Sequence, residues 1–230
     1  MEIYTKPTYF INSDHPEIIN FTNKHTESDA TPTLKAISLY CAIRDGIRYH
    51  LYDLDLSHKA MQASEILNRP SGTAYCVEKA CLLAACGRAA HIPTRMGFAN
   101  VRNHIGSEKM EIELGTNLLV FHGYMEFFLD NKWIKATPAF NKSLCEHLNV
   151  APLEFDGKSD SFLQEYDNSG QVYMEFEHDY GHFHDVPHDL FMREIIRYYP
   201  HLFSIERLTK IGQPFHIQYY NDSVRSKSER

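Results

Sequence analysis

Three observations predict an α+β domain. Helical spacing of apolar residues runs through residues 33–90, two-residue alternation takes over from Leu118, and a tight-turn pair, Asp130-Asn131, joins two strand-like segments. Helices followed by antiparallel strands, without βαβ alternation, give this class. With 230 residues, 43% of them hydrophobic, the chain fits a single domain with a sizeable core.

Residues 1–30 mix short apolar runs with prolines. The spacing of Ala36, Leu39, Tyr40, Ile43 and Ile47 predicts a helix over 33–47 with Thr33 as cap. A second helix is expected over 57–67, capped by Ser57. A third runs from Cys76 to Ala90, where Tyr75 would be the boundary and Glu78 would lie in the favourable first turn. Ile92-Pro93 ends it, and His91 sits where a helix end often turns left-handed. Arg95–Val101 reads as a strand. Leu118–Leu129 is a clearer one, with apolar odd positions and a mixed even row of Val120, His122, Tyr124 and Glu126. Lys132–Thr137 returns after the turn. The core therefore spans about 33–140. An extension over 141–220 holds polar turns, a histidine-rich stretch and an apolar helix near 190–199. The polar tail 221–230 should fray.

The net charge of −7 and the absence of a basic stripe argue against a nucleic-acid partner. No segment approaches the ~18 apolar residues of a membrane span. Glu2, Lys6, Pro7, Asp14, Pro16 and Glu17 interrupt the N-terminus, so no export segment is expected. Five cysteines (Cys41, Cys76, Cys81, Cys86, Cys145) are an odd number. These features predict a cytoplasmic protein with free thiols.

The chemistry centres on Ser71-Gly72-Thr73-Ala74-Tyr75-Cys76-Val77-Glu78-Lys79-Ala80, where turn residues run into an Ala/Leu-rich helix. Unpaired N–H groups and the positive end of the dipole should lower a thiol pKa at Cys76 and could hold an oxyanion. A thiol nucleophile needs a base, and His122 is the best one. Tyr124 and Glu126 share its row, and Trp133 follows on the paired strand; these three and Tyr75 are expected as site walls. Cys81 and Cys86 read as helix core.

The order Gly-x-x-x-Cys-x-x-Lys-Ala (from Gly72), Leu-Leu-Ala-Ala (from Leu82), Ile-Pro-x-Arg (from Ile92), His-x-Tyr-x-Glu (from His122) and Trp-x-x-x-Thr-Pro (from Trp133) resembles the transglutaminase-like superfamily of cysteine enzymes. Ile47-Arg48-Tyr49 and Ala63–Leu67 look like that family's lead-in. Lys135–Asn141, Leu153–Gly157 and Asp185-Val186-Pro187 look like a bacterial branch. The resemblance implies a papain-like core with Cys76 as nucleophile and His122 as base, attacking a peptide or protein amide through a thioester. Peptide hydrolysis, deamidation and transamidation all stay open, with hydrolysis preferred because water needs no acceptor site. The family's third residue is usually aspartate in Trp-x-x-x-Asp-Pro; here it is Thr137, with Asn141 as an alternative orienter. The oxyanion hole would use the Cys76 N–H and one of Tyr49, Tyr52 or Tyr75.

Two rival readings remain open. One is a catalytically weak binding module that keeps the fold, motivated by Thr137. The other is a metal-dependent protein using His178, His182, His184 and His188, with Asp179 and Asp185 nearby. No His-Glu-x-x-His or Cys-x-x-Cys pattern supports a metal, no cofactor is expected, and the oligomeric state is open.

Overall fold

The computed structural model describes residues 1–52, 54–105 and 108–203. Its axis is helix α4 (Cys76–Ala89), in which every residue from Cys76 to Arg88 is buried. A helix with no face for water has to be surrounded. Helices α1 (Pro16–His25), α2 (Pro32–Gly46) and α3 (Ala63–Leu67) pack against it, as do β3 (Thr94–Asn103) and β4 (Leu118–Leu129). The main sheet adds β5 (Lys132–Ala136) and β6 (Met174–Phe183) in the order β5-β4-β3-β6, with all neighbours antiparallel. The fold is α+β, as the sequence predicts. A two-residue parallel pair, β1 (Arg48–Tyr49) with β2 (Thr73–Ala74), sits just before α4. Helices α5 (Glu108–Leu114), α6 (Lys142–His147) and α7 (His188–Tyr198) complete the described elements, with 3₁₀ turns at Glu2–Tyr4 and Pro200–Phe203.

The predicted turn is present: Asp130 and Asn131 both have positive φ (48° and 63°), as a two-residue hairpin needs. His91 turns left-handed at φ 62° after α4. Cys81 and Cys86 lie in the core, and all five cysteines are unpaired.

Five features differ from expectation. α2 starts at Pro32 and is capped by Thr31, whose side chain accepts from Leu34 N at 3.3 Å, rather than by Thr33. No helix is expected over residues 1–30, yet α1 forms there: Pro16 is its first residue, where no N–H is needed, and the His15 ring accepts from Glu17 N at 3.3 Å. The helix expected over 57–67 is helical only from Ala63. The Ala63 N–H goes to the Phe10 carbonyl (2.9 Å), so the ladder does not extend back to Ser57. β6 is an edge strand, largely exposed on both faces, and so shows no alternation to read. The short helices α5 and α6 carry little periodicity. The expected tail over 221–230 lies outside the described residues. Among the described residues, no helix is long and apolar enough to cross a membrane.

Buried charges join the layers. Lys79 donates to the Arg44 and Ile47 carbonyls (2.9 and 2.6 Å), closing the end of α2; burial pushes its pKa down to about 7. Arg88 binds the carbonyls of Lys6 (2.7 Å), Thr94 (3.0 Å) and His184 (2.5 Å).

Candidate active site

Tyr75 is the extended boundary residue of α4 (φ −99°, ψ −177°), so Cys76 opens the first turn. The Glu78 carboxylate reaches back to accept the Tyr75 N–H at 3.1 Å, one half of a capping box. Arg69 grips the same carboxylate at 2.9 and 2.5 Å. These contacts fix the turn that carries the thiol. The β1–β2 pair continues through His50 N to Ala74 O (3.1 Å) and places Tyr49 beside Cys76.

His122 is delivered by β4 through a β-bulge. Ala99 pairs with His122 and Val101 with Leu119, so Val120 and Phe121 oppose Asn100 alone. Phe121 takes a left-handed φ of 60°, and Asn100 Oδ1 accepts its N–H at 3.0 Å. A bulge bends the strand and re-aims its side chains. Consequently Leu119, Val120, Phe121 and His122 all line one cavity, which strict alternation forbids. The next residue sets the approach to the helix. A Cβ on Gly123 would lie 2.6 Å from Val77 Cα, so only glycine lets β4 touch the start of α4.

Cys76 and His122 share this cavity of about 70 Å³, enclosed by Tyr49, Leu56, Tyr75, Phe191 and Tyr199 among others. Its lining is apolar, and both groups are buried: Cys76 is 7% exposed and His122 3%. Burial dominates the electrostatics. It pushes the Cys76 thiol up to about 11, although the N–H groups of Gly123, Val77 and Cys76 act to lower it. Burial alone pushes His122 down to about 4. This corrects the expectation of a lowered thiol pKa: about half a charge at the helix end is outweighed by desolvation of a sulfur anion. Buried in this way, both groups are neutral at pH 7.

Neither expected orienter engages His122, whose Nδ1 is buried without a hydrogen-bond partner. Thr137 is buried at the end of β5; its N–H donates to Ser161 O (2.9 Å), and its Oγ1 has no partner. Asn141 Oδ1 instead accepts the Tyr49 N–H at 3.1 Å, and its amide donates to Ser143 (2.7 Å). Asn141 therefore fixes a cavity wall rather than the base.

Of the expected walls, Tyr75 lines the cavity, whereas Tyr124, Glu126 and Trp133 do not. The Tyr124 ring lies against Phe162 and over Gly97, where a Cβ would come within 2.2 Å of the ring. Glu126 pairs with Arg95 and with His182 (3.1 Å). Trp133 packs on Tyr4 and Phe128 beneath the Arg95 guanidinium. The ladder from His122 to Glu126 is unbroken, so Tyr124 and Glu126 keep the row of His122, but they lie further along β4, where Phe162, Arg95 and His182 engage them instead of the cavity.

The histidine-rich stretch does not converge on one point. His182 faces Glu126, the His178 ring packs on Tyr180 (4.7 Å), and His188 Nε2 donates to the Leu56 carbonyl (2.8 Å). Sequence reasoning did not identify Tyr199, whose hydroxyl accepts from Val120 N (2.8 Å) and donates to Leu118 O (2.6 Å), pinning α7 onto the bulge. It lies far along the chain with no motif to mark it.

A solved structure of a Cytophaga hutchinsonii protein, provisionally named a cysteine protease, is similar at 14% identity and a TM-score of 0.45, covering 78% of this chain and 53% of that one. This chain thus spans about half the length of that protein. No curated protein matches the chain. The family model of the transglutaminase-like superfamily matches residues 19–138, just over half of the sequence and including both Cys76 and His122; the chain belongs to the transglutaminase-like superfamily.

Proposed function

We propose that this protein is a cysteine enzyme acting on peptide or protein amides, with Cys76 as nucleophile and His122 as base. One observation carries the reading: the thiol at the start of α4 and the imidazole delivered by β4 line the same apolar cavity. In the reaction the Cys76 S–H bond breaks and its proton passes to His122. The sulfur bonds to the amide carbon, and the C–N bond breaks with return of that proton to the leaving amine. Water then cleaves the thioester, releasing acid and restoring the thiol. Because burial keeps both groups neutral, proton transfer accompanies attack rather than preceding it. The Cys76 N–H is the first oxyanion donor, with Tyr49 beside the sulfur as a second polar group. The apolar lining suits an aliphatic acyl portion.

The rival reading is a binding module on the same fold. The unpartnered His122 Nδ1 and the absence of a carboxylate at Thr137 favour it. Incubation with p-nitrophenyl esters of N-acyl aliphatic amino acids separates the two. An enzyme gives an acyl adduct on the Cys76 peptide by mass spectrometry. That adduct is absent in Cys76→Ala and forms at least about 100-fold more slowly in His122→Ala. If wild type forms no adduct on Cys76 at neutral or alkaline pH, the binding module stands.

A further inference from the structure

His58, His188 and Asp189 form a second cluster, outside the cavity yet attached to its walls. One ligand atom from each lies within 4.8 Å of the others. The cluster joins two parts of the chain. His58 follows the segment that supplies Leu54 and Leu56 to the cavity, while His188 and Asp189 open α7, which supplies Phe191 and Ile195.

The site has the features a metal requires. His188 is buried, and its Nε2 bonds the Leu56 carbonyl at 2.8 Å. A carbonyl only accepts, so Nε2 carries the proton and Nδ1 carries the lone pair. Metal-binding histidines are commonly oriented in this way by a backbone carbonyl behind the ring. The rings of His58 and His188 are stacked, with centroids 3.9 Å apart and planes tilted by 36°, and Phe10 flanks both, at 5.8 and 5.6 Å, so His58 has to turn out of this stack to share an ion with His188. Tetrahedral zinc places its donors about 3.4 Å apart. His58 and Asp189 are exposed and can rotate to close the remaining gap, whereas His188 is anchored. The positive end of α7 opposes a cation, and the Asp189 carboxylate offsets it.

We propose that His58, His188 and Asp189 bind a divalent transition-metal ion, with zinc as the best fit to two imidazoles and one carboxylate. The ion would clasp the segment around Leu56 to the start of α7 and so hold the Cys76 cavity closed. The site exists whether or not Cys76 is catalytic.

The test is calorimetric titration of the metal-free full chain with zinc chloride, alongside His58→Ala and Asp189→Asn, both at exposed positions. We expect one zinc per chain in wild type, with affinity lowered at least about tenfold in each variant. Cobalt(II) should show no thiolate charge-transfer band. Zinc should raise the wild-type Tm and slow iodoacetamide labelling of Cys76, with both effects lost in His58→Ala. Equal affinity in wild type and variants, a thiolate band, no stoichiometric binding, or labelling slowed equally in His58→Ala would overturn the site; the last would place the metal on Cys76.

Discussion

At the residue scale, His122 makes stability depend on pH. In the unfolded chain it takes up a proton below its ordinary value of 6.5, whereas in the fold burial holds it neutral down to about 4. The unfolded state binds more protons throughout that window. Stability contributed by the neutral ring is therefore present above about 6.5 and is lost as pH falls toward 4, by about 3 kcal/mol. His122→Gln removes the titration. Urea midpoints for wild type and variant across this range should show the steeper acid loss in wild type; parallel curves would mean that the ring is hydrated. Cys76 gives a companion expectation. With its pKa pushed up to about 11, alkylation should be slow at neutral pH and still rising well above the ordinary thiol value. A fast, pH-independent reaction at neutral pH would show a thiolate and a site that opens freely.

At the element scale, the contact between β4 and α4 makes the site. Gly123→Ala puts a methyl group 2.6 Å from Val77 Cα, against backbone that cannot rotate away. The strand must then retreat from the helix, costing about 1–3 kcal/mol and separating Cys76 from His122. We expect a lower urea midpoint together with loss of ester acylation at Cys76. Unchanged acylation would show that the pair does not depend on this contact. The bulge at Phe121 is held by Asn100 and Tyr199. Tyr199→Phe leaves Val120 N–H and Leu118 C=O unpaired in a buried setting, costing about 1–3 kcal/mol. Its acylation rate should fall more than its stability if the bulge aims His122; a loss of stability alone would make Tyr199 purely structural.

For the whole molecule, long buried side chains tie layers that the backbone does not join. Arg88 links α4 to the N-terminal segment, to β3 and to the end of β6. Arg88→Met leaves these carbonyls without their donor and should cost about 3 kcal/mol. Hydrogen exchange should rise first around Lys6 and His184, with β4 remaining protected; a uniform rise would mean that the layers unfold as one unit. The apolar cavity sits between these tied layers.

The sequence by itself determined the helix–strand order, the start of α4 at Cys76, the Asp130-Asn131 turn, the left-handed His91 and the family, because each is written in local spacing, capping or turn chemistry. Sequence alone also singled out Cys76 and His122, which occupy one cavity, and Tyr75 as a wall. It misplaced Tyr124, Glu126 and Trp133, because a shared strand row does not say which partners each side chain meets: Tyr124 packs on Phe162, Glu126 binds Arg95 and His182, and Trp133 packs on Tyr4 and Phe128. It left the start of α3 wrong, because the Ala63 N–H is claimed by Phe10, more than fifty residues away. It put the wrong sign on the thiol pKa, because the helix-end field is a local property whereas desolvation depends on what packs around the sulfur. The apolar cavity, the Tyr199 brace, the Asn141–Tyr49 link and the meeting of His58 with His188 were decided only by tertiary structure. Each joins groups distant in the chain, and only packing the layers around α4 brings them together.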